Sequence, residues 1–245
     1  MANSGLSQEF FIGGYDLSGD VGAIDECSSP REYLEAPVLN KSAMVRIRGR
    51  TDGKISFKTW FDDATGLEHD ALKGLPTADV VVLWGLGNTL GDEAAGLVAK
   101  QVDYNWSRGA DGSMEGSVQC LGQGASLEWV QRLTAGAVTH SSAGSETGVV
   151  DAGATTRGLI GYLQVMTISG APTFLIQQSS NTTNGIDGAW TTIISFGASS
   201  ARHGVRQTSS GAVAKGLRVT TTGTFSSAVF TMAYVRGTAQ DDVTL

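Results

Sequence analysis

The sequence predicts a mainly β chain, a β-barrel or sandwich carrying one short helix and followed by a C-terminal β-sandwich. Three observations predict it. Short runs rich in β-branched and aromatic residues alternate apolar with polar side chains, which is the period of a half-buried strand. Turn material such as Asp52-Gly53 and residues 109–112 separates these runs at hairpin spacing. Glycine supplies 33 of 245 residues and proline only 4, about twice the ordinary glycine share, so glycine serves turns here and builds no collagen-like repeat.

Each element has its own justification. In residues 43–61, AMVRIRG sets Met44, Arg46 and Arg48 against Val45 and Ile47, while KISFKTWF sets Ile55 and Phe57 against Ser56 and Lys58. Thr51-Asp52-Gly53 lies between them, so a β-hairpin is expected. Residues 65–76 predict a short helix: Thr65 and Glu68 have capping-box spacing, Leu67, Ala71 and Leu75 recur every four residues, and Gly74 with Pro76 ends it. ADVVVLWGL (78–86) reads as a buried strand, and 97–108 with 113–122 as a second hairpin around residues 109–112. Further strands are expected at 162–169, 173–180, 190–196, 216–222 and 225–235. In the third of these Trp190, Thr192, Ile194 and Phe196 share one face. AVFTMAYV, within the last, is apolar on both faces, which predicts a central strand.

Composition divides the chain. Residues 1–135 hold 19 acidic and 11 basic residues, a balance of −8, and residues 136–245 hold 5 and 6, a balance of +1. Ser plus Thr rises from 17 of 135 residues to 31 of 110 at the same place. Two domains are therefore expected, 1–135 and 136–245, joined by the linker-like stretch 134–148, with the second filling a core without help from the first.

The same reading excludes several functions. No apolar run approaches the roughly 18 residues of a membrane span, and MANSGLSQEF has neither the basic nor the apolar region of a secretion signal. Cys27 and Cys120 stand 93 positions apart and are expected to be free thiols, while His69, His140 and His203 show no zinc-ligand spacing. Gly85, Gly87 and Gly91 miss the dinucleotide fingerprint and read as a strand-end turn. Asp62, Asp63, Glu68, His69 and Asp70 cluster acids about the helix, without a motif that fixes catalytic geometry. The Asn-x-Ser/Thr matches at Asn40, Asn105 and Asn181 read as chance matches. No enzyme activity, cofactor or metal is expected.

The order of an N-terminal arm, a basic hairpin, FDDATGLEHDALKGLP, a VVVLWG strand and YNWSRGADGSMEGSVQ resembles the major tail tube proteins of long-tailed bacteriophages. The later segments GLIGYLQVMTISG, WTTIISFG and FSSAVFTMAYVRG are similar to β-sandwich domains appended to such proteins. The resemblance implies a virion structural protein with a tail-tube-like fold, assembled in the host cytoplasm into stacked, usually hexameric rings. Its partners would be other copies, other tail proteins and phage DNA, which passes through the bore without specific binding. Contacts between rings are implied for about residues 1–20 and 40–62, with Arg46, Arg48, Arg50, Lys54 and Lys58 as inter-subunit candidates. A conduit must not hold what it conducts, so an acidic bore is expected, with Asp62, Asp63, Asp92 and Glu93 as candidates beside strand ends. The alternatives are a capsid decoration protein or a carbohydrate-binding module with Trp190 as its platform.

Overall fold

The computed structural model describes residues 7–36, 42–150 and 153–237. Among the described residues strand accounts for 59% and helix for 2%, a mainly β fold of antiparallel sheets in which no closed barrel forms. The first half runs β1 (Glu9–Ile12), β2 (Tyr15–Asp16), β3 (Val21–Ser28), β4 (Arg31–Ala36), β5 (Val45–Thr51), β6 (Lys54–Trp60), α1 (Glu68–Leu72), β7 (Val80–Gly85), β8 (Glu93–Arg108), β9 (Met114–Gly122) and β10 (Glu128–Arg132). Then follow β11 (Val138–His140), β12 (Gly144–Ser145), β13 (Val149–Val150), β14 (Leu159–Gly170), β15 (Thr173–Ser179), β16 (Thr191–Ala198), β17 (His203–Ser209), β18 (Gly216–Thr222) and β19 (Phe225–Arg236).

One large sheet spans both halves in the order β17-β14-β19-β10-β8-β7-β1-β2, with β9, β6 and β3 branching from β8. The long β8 makes the branch possible: residues 94–99 pair with β7 and residues 99–108 with β9. A second sheet, β12-β18-β15-β16 with β13 on β18, lies over the β14–β19 layer and closes a sandwich. Its core holds Leu159, Leu163, Phe174, Ile176, Val219 and Phe230. The first half has a core of its own around Phe10, Ile55, Phe57, Val82 and Leu97. Burying each such side chain stabilises the fold by roughly 1.5–3 kcal/mol.

A third core joins the two. Phe11, Val81, Leu83, Ala94 and Val130 pack against Ile160, Tyr162, Met166 and Ala233. β14 is the shared wall, with all eight residues from Leu159 to Met166 buried. Its odd positions face the sandwich and its even positions face β7 and β1. Gly96 permits this contact, because a Cβ there would meet the Tyr162 ring at 2.7 Å. The sandwich core is filled by residues of 136–245 together with Leu133, and the third core adds a contact between the two parts that the composition did not indicate. The expected linker is corrected. Leu133 N donates to Met232 O, Met232 N donates to Thr134 Oγ1, and β11 pairs with β19.

The central place expected for AVFTMAYV holds: β19 has β14 on one side and β10 and β11 on the other. The 97–108/113–122 hairpin also forms, as β8–β9. The hairpin over 43–61 does not. β5 pairs with β4, while β6 lies between β3 and β9. β6 buries Ile55, Phe57 and Thr59 on one face, a pattern that the centre of a sheet satisfies better than an isolated ribbon does. Gly53 is needed for close approach, since its Cβ would lie 2.7 Å from Leu127 N and from Leu97 Cδ1.

The helix is shorter than expected, and the capping box does not form: the N-cap is Leu67, without a side-chain bond. Glu68 instead turns inward and accepts hydrogen bonds from Thr59 Oγ1 at 3.1 Å and Tyr104 at 3.4 Å. Leu72 is the buried helical leucine and Leu75 is exposed. Leu75 takes φ +38°, so the positive-φ stop falls there and not at Gly74.

Candidate assembly interface

β4 and β5 form a separate two-stranded ribbon. A two-stranded ribbon is marginal by itself in water, and the two faces of this one differ. The register sets Leu34 opposite Ile47 and Ala36 opposite Val45 on one face, with Leu34 63% and Ile47 47% exposed. The other face carries Tyr33 opposite Arg48 and Glu35 opposite Arg46. There the Arg46 guanidinium stands 5.5 Å from the Tyr33 ring centre and 3.5 Å from Glu35 Oε1. Such an exposed pair contributes little, about 0–1 kcal/mol. The ribbon thus leaves an aliphatic face and a row of arginines in water.

The five basic candidates do not share one hairpin, which corrects that expectation. Arg46, Arg48 and Arg50 lie on the ribbon. Lys54 opens β6 and reaches Glu26 Oε2 at 2.6 Å, where its hydrogen bond holds the Glu26 carboxyl below the usual range. Lys58 lies on the outer face of β6 together with Trp60.

The acidic candidates fall into two places. Asp62 and Asp63 follow β6, and Asp62 Oδ1 accepts from Ala64 N at 2.9 Å. Asp92 closes the β7–β8 turn by accepting from Thr89 N and Oγ1, and those bonds lower its pKa. Glu93 begins β8, whereas β6 ends beside Ser107 through the Trp60–Glu115–Ser107 register. The two pairs are therefore separated by nearly the whole of β8, roughly 45 Å of strand.

Around the end of β6 an aromatic corner reaches the surface. Trp60 is 49% exposed, and Phe61 and Met114 are exposed beside it. Phe61 N donates to Met114 O, and the Phe61 ring stands 5.2 Å from Trp106 and 5.1 Å from His69. Asp20, Asp62, Asp63 and Glu115 surround the corner: Asp20 O accepts from Trp60 N, and Glu115 is the cross-strand partner of Trp60. Burial, and next the nearby Asp62 charge, raise the pKa of Asp20. The aromatic corner escaped the sequence reading. So did the ribbon strand REYLEA, whose alternation after Pro30 was the available signal.

Trp190 sits at the second sheet, under the Arg218 guanidinium at 4.3 Å. Its indole N–H donates to Ile186 O and Asp187 O. Cys27 and Cys120 are free. They flank Ile55 on opposite neighbouring strands, about 10 Å apart at normal strand spacing and beyond disulfide reach. Burial pushes their thiols up to about 11 and about 12. Asn40 and the first six residues of the expected arm lie outside the described residues. Among the described residues no group of three His, Cys, Asp or Glu is placed to hold a metal, and no helix is long and apolar enough to cross a membrane.

The halves are also joined by buried polar groups. Arg132, fully buried, lies 2.7 Å from Glu9 Oε2 and donates to Thr231 Oγ1 at 2.9 Å, which ties β10 to β1 and β19. Burial lowers its pKa against the pull of Glu9. Arg206 on β17 grips Glu128 on β10 in a bidentate pair at 2.6 and 2.9 Å, and Tyr162 donates to the same carboxylate. Burial opposes the charge on Arg206, yet Glu128 leaves its pKa raised. Gln164 donates to Val81 O and accepts from Gly14 N, at 2.8 and 2.7 Å.

No family model matches the chain, and no curated protein does. Among solved structures it is similar to the Dit protein of phage SPP1, described as a paradigm of the hub adsorption apparatus in phages that infect Gram-positive bacteria. The identity is 10% and the TM-score 0.33, over 93% of this chain and 99% of that one. It is also similar to a chain of the phage p2 baseplate in its activated conformation with strontium, at 8% identity and TM-score 0.34, over 92% and 97%. A chain of the phage P2 baseplate with calcium gives 9% and 0.32, over 93% and 98%.

Proposed function

We propose that this chain is a structural protein of a bacteriophage tail, one that associates with copies of itself into rings. The observation that carries the reading is the β4–β5 ribbon, whose Leu34 and Ile47 face water as a cross-strand pair. An apolar pair on a marginal ribbon gains stability when another surface covers it. The sequence resemblance to tail tube proteins and the −8 balance of residues 1–135 support the same reading, because an acidic bore lets DNA slide. In such a ring Asp62 with Asp63 and Asp92 with Glu93 would form two acidic levels, set apart by β8. Residues 136–245 would face outward, and DNA would pass without a specific site.

Negative-stain electron microscopy of the purified chain over a wide concentration range tests this. Rings or stacked rings are expected. Monodisperse single copies at every concentration overturn the reading. Stacks of indefinite length would favour a tube, and isolated rings a single-ring component of the tail.

A further inference from the structure

We propose that the β4–β5 ribbon of one copy docks on the aromatic corner at the end of β6 in the next. This rests on the self-association reading and names the two surfaces that would meet. Three observations lead to it. First, each surface exposes what the other lacks a cover for: Leu34 and Ile47 on the ribbon, Trp60 and Phe61 at the corner. Second, their charges are opposite. The ribbon carries Arg31, Arg46, Arg48 and Arg50 against Glu32 and Glu35, while the corner carries Asp20, Asp62, Asp63 and Glu115 against Lys58 and Arg108. Opposite potentials steer two patches together and fix their register.

Third, the two surfaces leave opposite ends of one strand. The ribbon base lies at the Lys54 end, where Asp52 N donates to Pro30 O and Lys54 pairs with Ser28. The corner lies at the Trp60 end, about 20 Å away along β6. A surface at one end that fits a different surface at the other makes a head-to-tail joint, and such a joint repeats until it closes a ring or grows a filament. A self-complementary patch would stop at two copies. Aromatic side chains ringed by polar groups are also the usual anchors of interfaces.

The test uses two full-length variants in sedimentation velocity at low and high salt. Arg46→Glu with Arg48→Glu alters the ribbon alone, and Asp63→Arg with Glu115→Arg alters the corner alone. Each is expected to weaken association at least tenfold at low salt, with the difference shrinking at high salt. In an equal mixture the unaltered ribbon of one variant meets the unaltered corner of the other, and the reversed ribbon meets the reversed corner with opposite charge again. Association beyond dimers should therefore return at low salt, although neither variant assembles alone. Leu34→Ser with Ile47→Ser, and Trp60→Ser, repeat the test through the apolar contacts should a charge variant fail to fold by circular dichroism. If the unaltered chain assembles and every folded variant assembles equally well, the docking pair is wrong and self-association stands. If the unaltered chain stays single at all concentrations, self-association fails and the docking pair with it.

Discussion

The β14 wall and the β4–β5 ribbon are both antiparallel strands of alternating residues, and they meet solvent in opposite ways. β14 is buried on both faces from Leu159 to Met166, and its polar member Gln164 is satisfied by Val81 O and Gly14 N. The ribbon buries neither face, and Leu34 and Ile47 remain in water. Alternation specifies which residues share a face but not whether that face finds a cover inside the same chain. The wall finds two covers at home, and the ribbon must look elsewhere. Stability of the single copy therefore rests on the wall, and the association proposed above rests on the ribbon.

Cutting the chain after Ala135 should produce the largest effect. It strips Ile160, Tyr162, Met166 and Ala233 from Phe11, Val81 and Leu83. At roughly 1.5–3 kcal/mol per large apolar side chain, that loss rivals a whole domain's stability of about 5–15 kcal/mol. Loss of cooperative unfolding in circular dichroism is expected, and a well-folded soluble fragment would break the comparison. Next comes Glu128→Ala, which leaves Arg206 and Tyr162 facing each other without their shared acceptor. Denaturant unfolding should show a loss of about 3–5 kcal/mol, largely recovered when Glu128→Leu is combined with Arg206→Met.

Glu68→Gln should act in the other direction and more weakly. Burial raises the pKa of Glu68, so the folded state binds the proton more tightly than the unfolded one. Its ionised form therefore costs stability once pH exceeds the folded pKa, and the cost vanishes below the unfolded pKa. The variant should melt slightly higher than the unaltered chain at neutral pH, with the gap closing in acid. Smallest of all, Leu34→Ser with Ile47→Ser should change single-copy stability by no more than about 0.5 kcal/mol, because those side chains are already in water. A larger loss would mean that the ribbon packs at home.

The pattern of what the sequence revealed follows the same division. The β8–β9 hairpin was legible because its turn and its alternation act within 30 residues. Five strands of the sandwich, β14, β15, β16, β18 and β19, were legible as runs and β17 was not, while β19 read as central because its apolar residues lie on both faces. The β5–β6 hairpin was misread because Asp52-Gly53 is a local signal, while Ile55 and Phe57 are claimed by partners far away in the chain. Glu68 was misread for a similar reason. Its spacing from Thr65 suits a cap, but buried Thr59 and half-buried Tyr104 offer donors that only the folded sheet brings near. The composition break near residue 135 reports a change of surface and not a break in the sheet. The joining groups Arg132, Glu128 and Arg206 are rare charged positions whose partners cannot be seen from sequence spacing.

Hydrogen exchange of single copies at low concentration tests the central claim most directly. Amides of β10, β14 and β19 should open together at the global unfolding free energy, on both sides of residue 135, while those of β4 and β5 exchange with almost no protection. Separate protection levels for residues 7–135 and 136–237, or a ribbon as protected as the wall, would contradict it.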